Sequence, residues 1–378
     1  MPSSRPCNER DGGPAVTASG QVAVVFGTRP EIIKLAPVVH ELGDRATTIH
    51  TGQHFDDQMS RTFLEQLDIG EPDHHLDVGG LTRGAQIGRA TIAIEELLLR
   101  LRPACVVVQG DTNSGLAGAL AANAALIPIV HLEAGLRSFD RTMPEEHNRV
   151  LIDALSERCL APHPSNAELL RREGVSPERI RVTGSTLKEA LDRILPSAGE
   201  RASLLAELGL QPSRFVLATV HRVENADDPV KLKAILEQLA ALPLPVVLPL
   251  HPRAMARARE FGMLQLLEGV QLVEPLGYRE FIALAAECAL LISDSGGVQE
   301  EATIVKRPVV VIRSSTERPE LLGTFAHLVS AGPEISTVAC RLLETIAQTH
   351  AQLRELPYPY GVHASARCVE AIDELAGS

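Results

Sequence analysis

The chain has 378 residues, about twice the length of a typical domain, so it is long enough to bury two hydrophobic cores. Its formal net charge of −12 argues against a nucleic acid or an anionic membrane as a partner. An anionic small-molecule substrate stays possible if Arg, Lys and His side chains gather in one cleft. No apolar run approaches the roughly 18 residues of a membrane span.

The first twenty residues are polar and lack the apolar core of a signal peptide, so residues 1–20 are predicted to form a disordered tail. Six cysteines, at positions 7, 105, 159, 288, 340 and 368, include no CxxC pair. Several lie within apolar runs, which indicates reduced, buried thiols in a cytoplasmic protein. No His, Cys or acidic cluster has zinc-like spacing, and no metal site is predicted.

Short apolar runs rich in β-branched residues recur along the chain, six in each half, and helix-like segments separate most of them. Strands that alternate with helices predict parallel sheets whose strands are buried on both faces. We therefore predict an α/β protein with two Rossmann-like domains. The polar, helix-forming region from Leu187 to Arg214 is the expected bridge between them, and an eight-fold barrel is the alternative.

Distinctive polar motifs follow the predicted strands. They are "FGTRPE", "TGQH", "QGDTNS" and "HLEAGLRS" in the first half, and "HRVEN", "LHPR" and "SDSGG" in the second. Parallel sheets of this kind bind ligands at the carboxyl ends of their strands. Two domains with such edges facing each other would enclose a cleft.

The motif "FGTRPEIIK" follows the first predicted strand and places Arg29 and Lys34 about one helical turn apart. Pro30 suits the first position of a helix. Arg29 could clamp a phosphate with two hydrogen bonds, and Lys34 could add charge. The alternative is an ion pair with Glu31 or another carboxylate. The chain contains neither GxxxxGK[ST] nor GxGxxG, so ATP hydrolysis and a conventional NAD site are poorly supported.

Several acidic residues follow the predicted strands of the first half, namely Asp111, Glu133, Glu145 and Glu146. Acids at such positions are costly to bury, so they are usually paired or functional. Pairing with Arg137 and Arg149 is the structural alternative for two of them. Otherwise, crowding in a cleft would raise their pKa values and suit them to proton transfer at carbon. His221 follows a strand of the second half, where a lone histidine is more often structural.

The motif "SDSGG" places Ser295, Gly296 and Gly297 between a strand and a helix. Unpaired N–H groups and the positive end of the dipole make a helix start an anion site, and glycines allow phosphate oxygens to approach. The alternative is a simple N-cap by Ser295. Glu300 and Glu301 lie one turn later, where a carboxylate could accept ribose hydroxyls. They could instead form a solvated first turn.

The chain resembles the non-hydrolysing UDP-N-acetylglucosamine 2-epimerases from about Val22 to Gly361. The resemblance rests on eight motifs in one order: "FGTRPE…K", "TGQH", "GDT", "HLEAGLRSFDRTMPEEHNR", "VTGST", "HRVEN", "SDSGGVQEEA" and "TERPE". It implies a glycosyltransferase-B-like arrangement with an interdomain cleft and a C-terminal helix that returns to the first domain. The implied boundaries are 21–186 plus 360–378 for the N-terminal domain and 187–359 for the C-terminal domain. A homodimer is also implied.

The implied reaction interconverts UDP-GlcNAc and UDP-ManNAc without NAD or a required metal. The proton on sugar carbon 2 is removed and UDP is expelled, which leaves 2-acetamidoglucal; UDP adds back after reprotonation on the opposite face. The implied catalytic residues are Asp111, Glu133, Glu145 and His221. The expected substrate-binding residues are Arg29, Lys34, Arg137, Phe281 against the uracil, Ser295, Gly296, Gly297, Glu301 at the ribose, and Arg318.

Two segments depart from the pattern of members that are activated by UDP-GlcNAc. The chain has "QHFDD" at Gln53–Asp57, and "DVGGLTRGAQ" lacks the basic pattern that binds an activator, so we expect no such activation. The stretch "TGQHFDDQMS" also resembles relatives that act on 2,3-diacetamido uronic sugars, which leaves the hexosamine open. Hydrolytic release of ManNAc and UDP, and glycosyl transfer, are the alternative reactions.

Overall fold

The computed structural model describes residues 19–53, 63–250 and 252–376. The predicted tail therefore lies almost wholly outside the described residues, as do four residues of "QHFDD". Within the described ranges, no helix combines the length and the apolar character needed to cross a membrane.

The first half of the chain forms a seven-stranded sheet with the order β3-β2-β1-β4-β5-β6-β7, in which every paired strand is parallel to its neighbour. Its strands are β1 (Ser19–Phe26), β2 (Ala46–His50), β3 (His74–His75), β4 (Pro103–Gln109), β5 (Ile129–Leu132), β6 (Arg158–Ala161) and β7 (Ile180–Val182).

The second half forms a six-stranded parallel sheet with the order β10-β9-β8-β11-β12-β13. Its strands are β8 (Val216–Thr219), β9 (Val246–Pro249), β10 (Gln271–Val273), β11 (Leu290–Ser293), β12 (Val309–Ile312) and β13 (Ala326–Val329). This is the 3-2-1-4-5-6 strand order of dinucleotide-binding sheets, and the first sheet contains the same order with one strand added.

Helices connect the strands and cover both sheets. The first sheet is accompanied by α1 (Arg29–Leu42), α2 (Arg83–Leu101), α3 (Asn113–Ala124), α4 (Pro144–Leu155), α5 (Pro164–Arg172) and α6 (Leu187–Ile194). The remaining helices are α7 (Ala198–Glu207), α8 (Val223–Ala226), α9 (Pro229–Ala240), α10 (Pro252–Glu260), α11 (Tyr278–Glu287), α12 (Gly296–Val305), α13 (Glu334–Glu344), α14 (Ile346–Glu355) and α15 (Ala364–Ala376).

The prediction of two parallel α/β sheets is confirmed, and the barrel alternative is wrong. Each of the twelve predicted apolar runs contains a strand. The sequence did not predict β3, because two histidines form no apolar run. The residues of β1 from Val22 to Phe26 are buried, as expected for a strand that is covered on both faces.

The last helix, α15, packs against α1, and its Cys368 and Ile372 belong to the same apolar cluster as Val22 of β1. The chain therefore returns to the first sheet after completing the second. The numerical domain boundaries given above stay a prediction.

The segments that follow the strands of the two sheets contact each other across the interdomain cleft. Arg318 of the second half donates to Glu133 of the first at 2.8 Å, and Lys34 of the first half lies 3.4 Å from Glu300 of the second. Every candidate residue discussed below lies near a strand end or a helix start, as a parallel sheet requires.

Candidate active site

The start of α1 is held close to the ends of β2 and β4. A Cβ on Gly27 would collide with the side chains of Thr51 and Ser114, so glycine is required there. Glu31 follows in the first turn and accepts hydrogen bonds from the Gly27 N–H at 3.0 Å and the Thr112 hydroxyl at 2.7 Å. Glu31 is therefore not the partner of Arg29.

Glu31 is a fully buried carboxyl group that the sequence analysis did not include among the site residues. Its burial raises its pKa to about 7, although the hydrogen bonds that it accepts act in the opposite direction. The signal in the sequence was an acid three residues after the Thr28 N-cap, but that position usually indicates a helix start.

Arg29 and Lys34 point to different neighbours. The Arg29 guanidinium lies 5.2 Å from the centroid of the Phe63 ring and 5.9 Å from that of Tyr278, within cation–π range. The Lys34 ammonium is 2.6 Å from both carboxylate oxygens of Glu133. Lys34 thus lies between two acids from different halves, Glu133 and Glu300.

Glu133 immediately follows β5 and has a left-handed backbone with φ of 65°. Its carboxylate accepts bonds from Lys34, Arg318 and Gln109. Burial would raise its pKa, but the charges and hydrogen bonds of Lys34 and Arg318 outweigh burial and lower the pKa to about 2. The expectation that crowding raises the pKa of these acids is therefore wrong for Glu133, which is ionised at neutral pH.

Asp111 follows β4 and pairs with Arg149 of α4. The same guanidinium also bonds Glu146, and it reaches Glu317 of the second half at 3.2 Å. Asp111 and Glu146 are thus both paired with an arginine, as the structural alternative predicted for two of the four acids. Burial lowers the pKa of Arg149, but its three acidic neighbours outweigh burial and raise the pKa.

Glu145 and Glu146 are adjacent in sequence but have different surroundings. Glu146 is buried and accepts the backbone N–H groups of Ser138 and Phe139, each at 3.0 Å, so it fixes the loop after β5. Glu145 is exposed on the first turn of α4. The structure therefore leaves Glu145 the more accessible of the two acids.

Arg137 does not join this group of residues. Its guanidinium is buried and donates to Asp153 at 2.6 Å, to Glu173 at 2.6 Å, and to the carbonyl of Leu136 at 2.8 Å. Both carboxylates belong to the first half, and neither was anticipated as its partner. The arrangement indicates a structural role, and the substrate-binding role stays a prediction.

His221 follows β8, and its Nδ1 lies 2.9 Å from Asp294, the residue after β11. Asp294 also accepts the backbone N–H groups of His221 and Arg222 and the side-chain amide of Asn225. Burial would raise the pKa of Asp294, but the His221 contact and these hydrogen bonds lower it. The carboxylate thereby orients the His221 ring, whose side chain is 44% exposed.

The Ser295–Gly297 turn begins α12, but Ser295 makes no side-chain capping hydrogen bond within the described chain. Ser295 thus occupies the N-cap position, but the N-cap alternative is wrong in that its side chain does not cap the helix. A Cβ on Gly296 would lie 3.3 Å from a guanidinium nitrogen of Arg313, so this arginine stands beside the helix start. Arg313 is in turn held by Glu317 at 2.7 and 2.9 Å. A helix start next to a cation attracts anions.

Glu300 and Glu301 are both buried, so the solvated-turn alternative is wrong. Glu300 bonds Arg318 and accepts from the Tyr358 hydroxyl at 2.8 Å. Glu301 accepts from the Tyr278 hydroxyl at 2.7 Å, while its Oε2 has no hydrogen-bond partner among the described residues. Burial raises the pKa of Glu301 despite this bond. Its unpaired oxygen can accept a hydroxyl of a ligand.

Arg318 and Phe281 are the remaining predicted site residues. The Arg318 guanidinium lies 4.9 Å from the centroid of the Tyr360 ring and pairs with Glu133 and Glu300. Phe281 is half-buried on α11 and packs against apolar clusters of both halves. The structure thus brings Lys34, Glu133, Glu300 and Arg318 into direct contact.

Several residues of this cluster were not among the predicted site residues, namely Glu31, Arg149, Tyr278, Glu300, Arg313, Glu317 and Tyr358. Besides Glu31 and Arg149, the sequence gave a signal for Glu300, which lies beside Glu301, and for Glu317, which lies beside Arg318. Within the described part of the chain, no three His, Cys, Asp or Glu side chains are grouped so that they could hold a metal ion.

Comparison with known proteins identifies relatives along nearly the whole chain. The family model for UDP-N-acetylglucosamine 2-epimerase matches residues 40–373. A UDP-N-acetylglucosamine 2-epimerase of Methanococcus maripaludis is 39% identical over 330 residues, covering 85% of this chain and 90% of the relative. A UDP-2,3-diacetamido-2,3-dideoxy-D-glucuronate 2-epimerase of Pseudomonas aeruginosa is 39% identical over 366 residues, covering 94% of this chain and all of the relative.

Solved structures agree with this result. The crystal structure of UDP-GlcNAc 2-epimerase from Methanocaldococcus jannaschii in complex with UDP-GlcNAc and UDP is similar, with a TM-score of 0.82 and 36% identity; the match covers 94% of this chain and 99% of that chain. The expected glycosyltransferase-B-like fold is thus confirmed. The chain belongs to the UDP-N-acetylglucosamine 2-epimerase family.

Proposed function

We propose that the protein is a non-hydrolysing isomerase that interconverts UDP-GlcNAc and UDP-ManNAc. The observation that carries this proposal is the contact between the two strand-end edges across one cleft: Glu133 pairs with Arg318, and Arg149, which binds Asp111, reaches Glu317 beside the start of α12. Acids remove and return a proton at carbon 2, while cations and N–H groups stabilise the diphosphate that leaves carbon 1.

The proposed reaction has two half-steps. Loss of the carbon 2 proton and cleavage of the bond between carbon 1 and the diphosphate oxygen give UDP and 2-acetamidoglucal. Protonation of carbon 2 on the opposite face and return of UDP to carbon 1 complete the epimerisation. No water is consumed and no electron acceptor is needed, so the atoms balance without a cofactor.

We assign the acid and base work jointly to Asp111, Glu133, Glu145 and His221. The ionised state of Glu133 supports this assignment, since a carboxyl group must be ionised before it can accept a proton. The exposure of Glu145 and the orientation of His221 by Asp294 support it as well.

For the nucleotide, we propose that the Ser295–Gly297 turn, Arg29, Lys34 and Arg318 hold the diphosphate. The uncapped start of α12 supports this. We propose that Oε2 of Glu301 accepts a ribose hydroxyl and that Phe281 lies against the uracil. The unpaired buried oxygen of Glu301 supports the first of these two roles.

A second candidate substrate is a UDP-2,3-diacetamido uronic sugar. It is favoured by the 39% identity to the Pseudomonas aeruginosa enzyme, all of which this chain covers. The chemistry at carbon 2 would be the same, and only the substituents at carbons 3 and 5 of the sugar would differ.

The experiment is to incubate the enzyme with UDP-GlcNAc and to follow the anomeric signals by proton NMR. We expect UDP-ManNAc to appear until a constant ratio is reached, with no free sugar. Accumulation of free ManNAc with equal UDP would instead establish a hydrolysing enzyme. Conversion of the diacetamido substrate alone would assign the chain to the second candidate.

A further inference from the structure

A second cationic pocket lies outside the candidate active site. It has a volume of about 340 Å³, and α6, α11 and α12 contribute to its walls. Its lining includes apolar side chains, among them Leu191, Ile282 and Ile304. None of the proposed catalytic or substrate-binding residues lines it.

The charged lining of this pocket is predominantly basic, with five cationic side chains and two acidic ones. The cations are Lys188, Arg201, Lys306, Arg307 and Arg354, and the acids are Asp192 and Glu287. The protein as a whole carries a formal charge of −12, so a local surplus of three positive charges is opposite in sign to the rest of the molecule.

Two of the cations are neutralised within the pocket itself. Lys188 lies 2.6 Å from Asp192 one turn further along α6, and Arg201 lies 2.7 Å from Glu287. These pairs account for both acids of the lining. No acidic side chain of the lining is therefore left to pair with the other three cations.

Those three cations have no carboxylate within ion-pair distance in the described ranges. Lys306 donates to the carbonyl of Leu356 at 2.6 Å, and Arg307 donates to carbonyls that include Cys288 at 2.8 Å. Arg354 is exposed. Carbonyl groups satisfy hydrogen-bond donors but do not neutralise charge, so the positive surplus persists.

The cations also repel one another. Burial and the nearby charge of Lys188 lower the pKa of Lys306. Burial is the main cause that lowers the pKa of Arg307; Cys288 and Glu287 oppose it, and the positive charges of Arg354 and Arg201 add a smaller lowering. Lys188 on α6 and Lys306 at the end of α12 thus repel each other across a junction between helices, and an anion placed between them would remove this repulsion.

We propose that this pocket is a binding site for a small organic phosphate. A phosphate dianion matches a surplus of several charges better than a monocarboxylate does, and Lys and Arg side chains are its usual ligands. The apolar side chains of the lining suit the organic part of such a molecule. The site is independent of the proposed epimerase activity.

The test uses phenyl phosphate, an aromatic phosphate monoester, titrated calorimetrically into enzyme that is saturated with UDP so that the candidate active site is occupied. We expect one equivalent to bind, more tightly than inorganic phosphate. The double variant Lys306→Met/Arg354→Gln should weaken binding by at least about tenfold, because two charge-assisted contacts are lost.

The matched control is Arg172→Gln, which removes an arginine whose side chain is 73% exposed on α5. This variant should bind phenyl phosphate like the wild type. Since Lys306→Met loses a hydrogen bond, unchanged UDP affinity and melting temperature verify that the double variant is folded, and the single variant Arg354→Gln provides a second measurement. The proposal is wrong if the wild type binds no phenyl phosphate, if inorganic phosphate binds equally well, or if folded variants bind like the control.

Discussion

Glu133 combines three features that rarely occur together in one residue: a left-handed backbone, a buried carboxylate and two cationic partners. A non-glycine residue in this region of φ is strained, and such strain is usually found at functional sites. Lys34 and Arg318 are also the cations that we assign to the diphosphate. Substrate binding and the basicity of Glu133 are therefore expected to be coupled.

The first prediction concerns pH. In the free enzyme, the cations lower the pKa of Glu133 to about 2, so its anion is stabilised and is a weak base. When the diphosphate engages Lys34 and Arg318, that stabilisation weakens and the pKa rises. The acidic limb of kcat, which reports the bound enzyme, should therefore lie at higher pH than the acidic limb of kcat/KM, which reports the free enzyme.

Steady-state rates between pH 4 and pH 8 should show the acidic limb of kcat, whereas the acidic limb of kcat/KM should lie below this range, because the pKa of Glu133 in the free enzyme is about 2. Arg318→Gln provides the internal comparison, since removing one cation should move the limb of kcat/KM to higher pH. Coincident limbs, or limbs in the reverse order, would show that substrate does not alter the basicity of Glu133.

The second prediction concerns the charge of Glu133 itself. Glu133→Gln should lower kcat by about 10²–10⁴-fold, because a neutral amide cannot accept the carbon 2 proton. UDP affinity should be unchanged or slightly higher, since Lys34 and Arg318 lose a competing anion. The matched control is Glu178→Gln, whose carboxylate is outside the cleft and bonds Ser176. Turnover that equals that of the control would remove Glu133 from the mechanism.

Among the elements of the first sheet, the loops after β4 and β5 are connected by a buried pair of side chains, His131 and Asp153. His131 of β5 contacts the carbonyl of Gly110 at 2.8 Å through Nε2 and Asp153 of α4 at 2.7 Å through Nδ1. Asp153 also accepts the Gly135 N–H at 3.2 Å. Asp153 is thus a positioning residue for the segments that carry Asp111 and Glu133.

The third prediction concerns Asp153 of this buried pair. Asp153→Asn should reduce kcat by about tenfold to a hundredfold, because small displacements of catalytic groups are costly. It should leave UDP affinity within about twofold, since UDP is assigned mainly to the second half, and it should lower the melting temperature. Kinetics, UDP titration calorimetry and thermal unfolding measure these effects. The control is Glu168→Gln, which removes a carboxylate from an exposed ion pair on α5. If Asp153→Asn lowered UDP affinity as much as kcat, a positioning role would be contradicted.

The sequence predicted the elements well because their signals are local. Apolar runs identified twelve strands, and "SDSGG" identified the start of α12. The partners of the charged groups depend on contacts between distant segments. The sequence could not show that Arg137 turns inward to Asp153 and Glu173, or that Glu31 is buried beside Thr112. Spacing likewise could not distinguish buried Glu146 from exposed Glu145.

At the scale of the whole molecule, α2, α3 and α4 lie side by side and expose large apolar side chains. These include Ile92 (61% exposed), Leu126 (91%), which follows α3, and Leu151 (50%). A group of exposed apolar residues on neighbouring helices is typical of a protein–protein interface. We propose that this surface joins two copies of the chain in a homodimer.

The fourth prediction tests this dimer. Light scattering during size-exclusion chromatography should give twice the chain mass for the wild type. Ile92→Glu/Leu151→Glu should give the mass of one chain, because burying two carboxylates at the interface is unfavourable. The control Val230→Glu, at an apolar position that is 76% exposed on α9, should not change the mass. A wild type with the mass of one chain would contradict the dimer.

The proposed reaction, in which the enzyme reversibly exchanges the proton on sugar carbon 2 while UDP leaves and returns, requires residues of both sheets. The direct measurement is reaction of UDP-GlcNAc in deuterated water, followed by NMR and mass spectrometry of the recovered UDP-sugars. We expect deuterium at carbon 2 in both UDP-hexosamines. Recovery of epimerised sugar that carries no deuterium would contradict it.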